Sequence, residues 1–262
     1  MMISTTQQNK KRKGIGYKVT TAVSLVFWII IWYIVAEKLN KKILLPSPID
    51  VFFRLKELVA TDSFGISVIN SFCRILKGFF MGVVCGVVLA VLSGWFKVVK
   101  IIFQPFLSAL KSVPVASFVI LALIWLETEQ LSGFVAFVMV LPIIYINVLN
   151  GIDSTDKKML EMSAVFGFSP LKKLAYVYLP SVVPFFKSAC SVALGLCWKA
   201  GIAAELIGVP SGTIGEQLYF SKIYILTEDL FAWTIVIILI SVIFEKLFML
   251  AFNGLVSLYE RL

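Results

Sequence analysis

The chain has 262 residues, 60% of them hydrophobic and 14% aromatic, with a mean hydropathy of +0.95, too apolar for a domain that must solvate its whole surface. The formal net charge is +9 and there is no histidine, which excludes imidazole metal ligands, Ser-His and Cys-His catalytic pairs and the HExxH helix of metalloproteases. The expected class is an all-α, polytopic membrane protein whose lysines cluster at the ends of apolar runs, where cytoplasmic loops and anionic headgroups account for them without nucleic acid.

A basic tail, residues 1–18, carries Lys10, Lys11, Arg12, Lys13 and Lys18 and precedes an apolar run at 19–36 that is just long enough to cross a bilayer. Glu37 and Lys38 follow it where a cleaved signal peptide would show small residues, so the run reads as a retained first transmembrane helix. An outer connecting segment, 37–73, comes next. Within the following membrane domain, 74–255, spanning runs fall at Leu76–Gly94, Ile101–Leu126, Leu131–Asn150, Pro180–Ala204 and Leu230–Ala251. Six helices return the C-terminal residues, 256–262, to the cytoplasm with the tail. That topology also puts Lys97, Lys100 and the 152–178 loop inside and Glu127 and Glu129 outside. The first outer connection, with Lys38, Lys41, Lys42, Arg54 and Lys56, runs against the positive-inside pattern.

In the second predicted span Gly78, Gly82, Gly86, Ala90 and Gly94 recur every four residues and share one helix face. A face without side-chain bulk lets another backbone approach closely, within the subunit or across a dimer. The four cysteines, Cys73, Cys85, Cys190 and Cys197, lack CxxC spacing and read as small buried side chains. No metal site is expected.

Between the fourth and fifth runs stands EMSAVFGFSPLKKLAYVYLP, residues 161–180. Asp153 and Ser154 are suitable caps for a short helix carrying Met159, Leu160, Met162, Val165 and Phe166, and Gly167 supplies the left-handed residue that ends it. Ser169 then caps a second short helix with Pro170 at its first position, kept at water by Lys172 and Lys173. An interfacial helix lying on headgroups is the plain alternative.

These residues resemble the membrane subunits of ATP-binding cassette importers that depend on a solute-binding protein, whose motif runs E-A-A, three residues, G, nine residues, I, one residue, L-P. Glu161, Gly167, Leu179 and Pro180 keep their places; Met162 and Ser163 replace the alanines, and Val177 stands for the isoleucine. LLPSPIDV at 44–51, Ser71 to Arg74, LKSVP at 110–114, LGLCW at 194–198 and AAEL at 203–206 extend the likeness over most of the chain, nearest to the nitrate, sulfonate and taurine branch. The resemblance implies a five-helix type I permease core preceded by one extra helix, and a cytoplasmic coupling helix. Glu161, Met162, Ser163, Phe166, Gly167, Ser169, Leu179 and Pro180 would make the ATPase-coupling segment. It also implies two ATPase subunits, a second permease copy in preference to a different permease, and an extracytoplasmic solute-binding protein, in a bacterial cytoplasmic membrane.

No GxxxxGK[ST] loop occurs, so ATP and magnesium are expected on the separate ATPase, with no cofactor on this chain and no enzyme activity of its own. Charges inside spans tend to face wet cavities, which marks Lys111, Lys187, Lys199 and Glu205 as candidates to line the pathway, although lysines near helix ends also snorkel and Glu205 can simply end a helix at water. Three lysines suit an anionic solute such as a sulfonate or nitrate. The rival class is a secondary transporter or channel working without an ATPase, which should show related halves and midplane ion ligands; no convincing repeat is present.

Overall fold

The computed structural model describes residues 4–259, and side chains from residue 20 onward apart from Ala22. The side chains of the basic tail, the beginning of the first predicted span and residues 260–262 therefore lie outside the described residues. Among the described residues the only regular structure is helical, with no strand. The helices are α1 (Ser4–Leu39), α2 (Pro48–Val59), α3 (Asp62–Trp95), α4 (Lys97–Ser112), α5 (Val115–Ala122), α6 (Thr128–Asp153), α7 (Lys157–Val165), α8 (Pro170–Lys173), a π-helical turn (Leu174–Tyr178), α9 (Leu179–Gly208), α10 (Ile214–Ile223) and α11 (Thr227–Tyr259).

Among the described residues four helical stretches are long and apolar enough to cross a membrane: α3, α6, the run Pro170–Gly208 and α11. The pair α4 and α5 would make a fifth, but it bends by 105° between them. The sequence predicts one continuous span, Ile101–Leu126, and the bend corrects it. Pro114 caps α5 and forces Val113 out of the helical region, to φ −74° and ψ 127°, because a proline ring clashes with a helical residue before it. The second predicted span is corrected at its start. Instead of beginning near Leu76, α3 starts at Asp62, and its 34 residues reach about 51 Å, well beyond a hydrocarbon core of about 30 Å.

The chain divides into two compact units. The first comprises Met1–Ala60 and Ser221–Ala232. Here α2 is started by a reciprocal cap: the Asp50 amide donates to Ser47 Oγ at 3.2 Å and the Ser47 amide donates back to the Asp50 carboxylate at 3.3 Å, with Pro48 in the first turn. The Ser47 hydroxyl, followed by the Lys42 ammonium, holds Asp50 below the usual carboxylate range. Arg54 pairs with Asp229 through two nitrogens and donates to Glu57 at 2.7 Å. Two of the five cations that run against the charge rule in this connection, Lys42 and Arg54, are thus offset by local carboxylates. Trp32 stacks on Phe231 with centroids 5.5 Å apart.

The second unit comprises Thr61–Phe220 and Trp233–Leu262, and α3, α6 and α9 form its centre. The glycine face of α3 lies against α6. A Cβ on Gly82 would come within 2.7 Å of Val140 Cβ, one on Gly86 within 2.9 Å of Ile144 Cβ and one on Gly94 within 3.1 Å of Ile152 Cγ2. Gly78 is tighter still, facing the Gly133 carbonyl oxygen. Interior aromatic side chains, Phe79, Trp198 and Phe244 among them, pack edge to face beside this seam. Cys190 and Cys197 are buried, whereas Cys73 is exposed, contrary to the expectation of buried cysteines.

Candidate functional site

The segment between α6 and α9 is built by local signals. Asp153 and Ser154 do not cap the short helix as the sequence suggests; α6 runs on to Asp153, and Ser154 closes it by donating its amide to Asn150 O at 2.9 Å. The N-cap of α7 is Asp156, whose carboxylate accepts the Lys158 amide at 2.9 Å. Four residues of capping type, Asp153 to Asp156, stand in this stretch, and the one after the sharp turn at Ser154 and Thr155 is free to adopt the extended backbone a cap needs.

At its far end α7 closes with a paired turn. The Gly167 amide donates to Ala164 O at 3.1 Å and the Phe168 amide to Ser163 O at 2.9 Å, with Gly167 at φ +63°, the arrangement that satisfies the last carbonyls of a helix around a left-handed residue. Ser169 caps α8 by accepting the Lys172 amide at 3.4 Å, with Pro170 in the first turn. Instead of forming a separate short helix, α8 runs through the π-helical turn into α9. The Leu179 amide reaches back five residues to Leu174 O, and the wider turn lies where Pro180 withdraws an amide from the α-helical ladder. The hydroxyl of Tyr259, on α11, donates to the Ala175 carbonyl inside that turn.

The side chains of this segment divide sharply. Ser163 is 1% exposed, turned inward with its hydroxyl on Leu160 O at 2.7 Å. Glu161 is exposed, as are Met159, Met162, Val165, Phe166 and Leu171, with Val165 at 84% and Phe166 at 72%. Leu179 and Pro180 are exposed at the start of α9. A short helix with cationic flanks and an uncovered apolar row can seat in a groove on another protein.

The charged candidates inside the spans do not assemble into one site. Lys111 is exposed in the last turn of α4, and Lys187 and Lys199 are exposed on α9; among the described residues no ion pair joins any of the three. Glu205 is 0% exposed, so within this chain it borders no open path. Its Oε2 accepts the Ser71 hydroxyl at 2.6 Å and the Gly215 amide at 3.2 Å, while Ser71 Oγ accepts the Ile214 amide at 2.9 Å. A serine of α3 and a carboxylate of α9 thereby cap the first turn of α10. The sequence shows both residues but not that they meet. No cluster of three or more metal-binding side chains occurs among the described residues.

A family model described as the binding-protein-dependent transport system inner membrane component matches residues 82–258. A probable ABC transporter permease protein of Brucella abortus (strain 2308) is 25% identical over 231 residues, 88% of this chain and 91% of the relative. A putative aliphatic sulfonates transport permease protein of Bacillus subtilis (strain 168) is 28% identical over 194 residues, 73% of this chain and 70% of its own. The taurine transport system permease protein of Escherichia coli (strain K12) is 24% identical over 249 residues, 93% and 86% of the two chains.

Proposed function

This chain belongs to the family of binding-protein-dependent transport system inner membrane components, and from that premise we propose that α7 is the helix through which a separate ATPase drives it. The chain is a transmembrane permease subunit of an ATP-binding cassette importer, contributing half of the translocation pathway. One observation carries the coupling role. Glu161, Met162, Val165 and Phe166 stand uncovered on a helix that Gly167 stops sharply, while Ser163 anchors it inward.

The full reading has six spans with both termini cytoplasmic and a pair of identical permeases. Two ATPases hold ATP and magnesium, and a solute-binding protein works on the outer side. The cargo is a small anion, a sulfonate or nitrate in kind. Uncompensated Lys111, Lys187 and Lys199 and the names of the sulfonate and taurine relatives support it, since cations offset the cost of bringing a negative charge into low dielectric.

Orientation has a direct readout. Single cysteines at Thr128 and Ser211 are expected to react with an impermeant maleimide on intact cells, and one at Lys158 only after permeabilisation. Reaction of the Lys158 position in intact cells would put α7 on the wrong side for an ATPase.

Coupling is tested with the chain co-expressed with its ATPase and binding protein. Among the described residues nothing lies within 4 Å of a Cβ built on Gly167, so Gly167→Val acts through its left-handed backbone, a strain of about 1–2 kcal/mol. Both Gly167→Val and Glu161→Lys should reach the membrane at normal yield. Each should then lose most of its co-purifying ATPase, or keep ATP hydrolysis that loaded binding protein no longer stimulates. Normal ATPase content and full uptake in both variants would reduce α7 to an interfacial helix.

A further inference from the structure

We propose that a cleft between α3 and α6 binds a small oxyanion through Arg74 and Lys77, as a solute site on the outer third of the permease; this rests on the permease reading above and on its topology. The cleft follows from glycine packing. Gly78 faces the Gly133 carbonyl, and a Cβ on Gly133 would lie 3.0 Å from Arg74 O, so the two backbones touch. Side chains flanking that contact have to splay apart. Arg74, Lys77 and Met81 line one wall, at i, i+3 and i+7 of α3, and Gln130, Phe134 and Phe137 line the other, at i, i+4 and i+7 of α6. The space between them is about 540 Å³, within the usual range for small-molecule sites.

Its chemistry is that of a site for an anion with an apolar body. Arg74 Nη1 is buried and has no hydrogen-bond partner among the described residues. A guanidinium nitrogen withdrawn from water without a partner is costly. Glu205 acts on Arg74 electrostatically without bonding to it: among the described residues Glu205 Oε2 accepts from Ser71 and the Gly215 amide, Glu205 Oε1 is itself buried without a hydrogen-bond partner, and no ion pair joins the two residues. Lys77 is exposed at the same wall one turn along and, among the described residues, in no ion pair. Guanidinium and ammonium groups together are the donors that bind sulfonate, nitrate or carboxylate oxygens. Met81, Phe134 and Phe137 offer contact to a short apolar substituent. Glu129 also lines the cleft and opposes polyanions, which favours a monoanion. Lys111, Lys187 and Lys199, picked out from the sequence as intramembrane charges, are not part of this cleft.

An anionic lipid headgroup carries the same oxygens, so the test separates the two sources. The purified permease–ATPase complex, in lipid-free detergent and gluconate buffer, is titrated with ethanesulfonate and, as a neutral match, dimethyl sulfone, following the thermal midpoint and the heat of binding. Ethanesulfonate is expected to give a saturable response, sulfate a weaker one and dimethyl sulfone none. Lys77→Glu, at an exposed position that should fold normally, and Arg74→Gln should each weaken ethanesulfonate binding about tenfold or more, and Lys77→Arg should retain it. The proposal is overturned if the wild-type complex shows no saturable response, if Lys77→Glu responds like wild type, or if only phosphatidylglycerol stabilises the protein. Glu161→Lys provides the separating control: its ATPase content reports on coupling while its ethanesulfonate response, measured on the permease, reports on the cleft.

Discussion

Gly78→Ala is expected to abolish most of the assembled protein, although alanine is the better helix former. In an exposed helix interior this change stabilises by about 1 kcal/mol. Here the new methyl group meets the Gly133 carbonyl oxygen and comes within 2.9 Å of Ala136 Cβ. A flexible side chain could swing aside, but a backbone carbonyl held in α6 cannot. The helices must separate, and with them the contacts at Gly82 and Gly86, where Val140 and Ile144 sit 2.7 and 2.9 Å from the missing Cβ positions. Overpacking costs about 1–3 kcal/mol where side chains can adjust, and the cost should exceed that range here. Gly82→Leu should behave similarly. Gly195 is the internal control, since no described residue lies within 4 Å of a Cβ there, so Gly195→Ala should match or exceed wild type. Yield and thermal midpoint by size-exclusion chromatography in detergent decide it. A Gly78→Ala variant as stable as Gly195→Ala would mean that α3 and α6 do not meet closely in the membrane.

Glu205→Ala is expected to free α10 from the body of the second unit. The carboxylate is wholly buried and accepts from Ser71 and Gly215, and Ser71 in turn accepts from Ile214. Removing it leaves a hydroxyl and an amide without an acceptor and opens a cavity, with a combined cost of about 3 kcal/mol or more. Glu205→Gln keeps an acceptor oxygen and should cost less. Ser71→Ala should fall between, because only the Ile214 amide and one carboxylate bond are lost. Local opening gives the sharper readout: hydrogen exchange of peptides covering 209–223 should accelerate strongly in Glu205→Ala while peptides in α6 stay protected. If 209–223 exchanges at the wild-type rate, the carboxylate does not hold α10, and its burial has another cause.

Much of this protein's character is local and so readable along the chain. Hydropathy over about twenty residues dictates membrane insertion because the bilayer offers no partner for a bare backbone. The i, i+4 register of Gly78, Gly82 and Gly86 shows a close-packing face because helix geometry puts them on one side. Gly167 and the Ser169–Pro170 pair mark the two turns of the 161–180 segment because a left-handed backbone and an N-cap are requirements of single residues. Pro114 was equally visible, yet the apolar run through it masked the 105° bend it causes.

Whatever depended on residues far apart in sequence was decided by tertiary structure. The glycine face has no stated partner until α6 supplies Gly133, Val140 and Ile144. Glu205 reads as one more intramembrane charge until the fold brings it to Ser71, 134 residues away, and Ser71 to the Ile214 amide, 143 residues away. Along the chain Arg74 only closes the Ser71 to Arg74 stretch of the family likeness, and Lys77 is not singled out at all. Only the contact of two glycine backbones opens a cleft between them and α6. Hydropathy and caps are properties of a segment in its solvent, whereas a buried charge takes its meaning from the groups that replace its water, and those groups come from other helices.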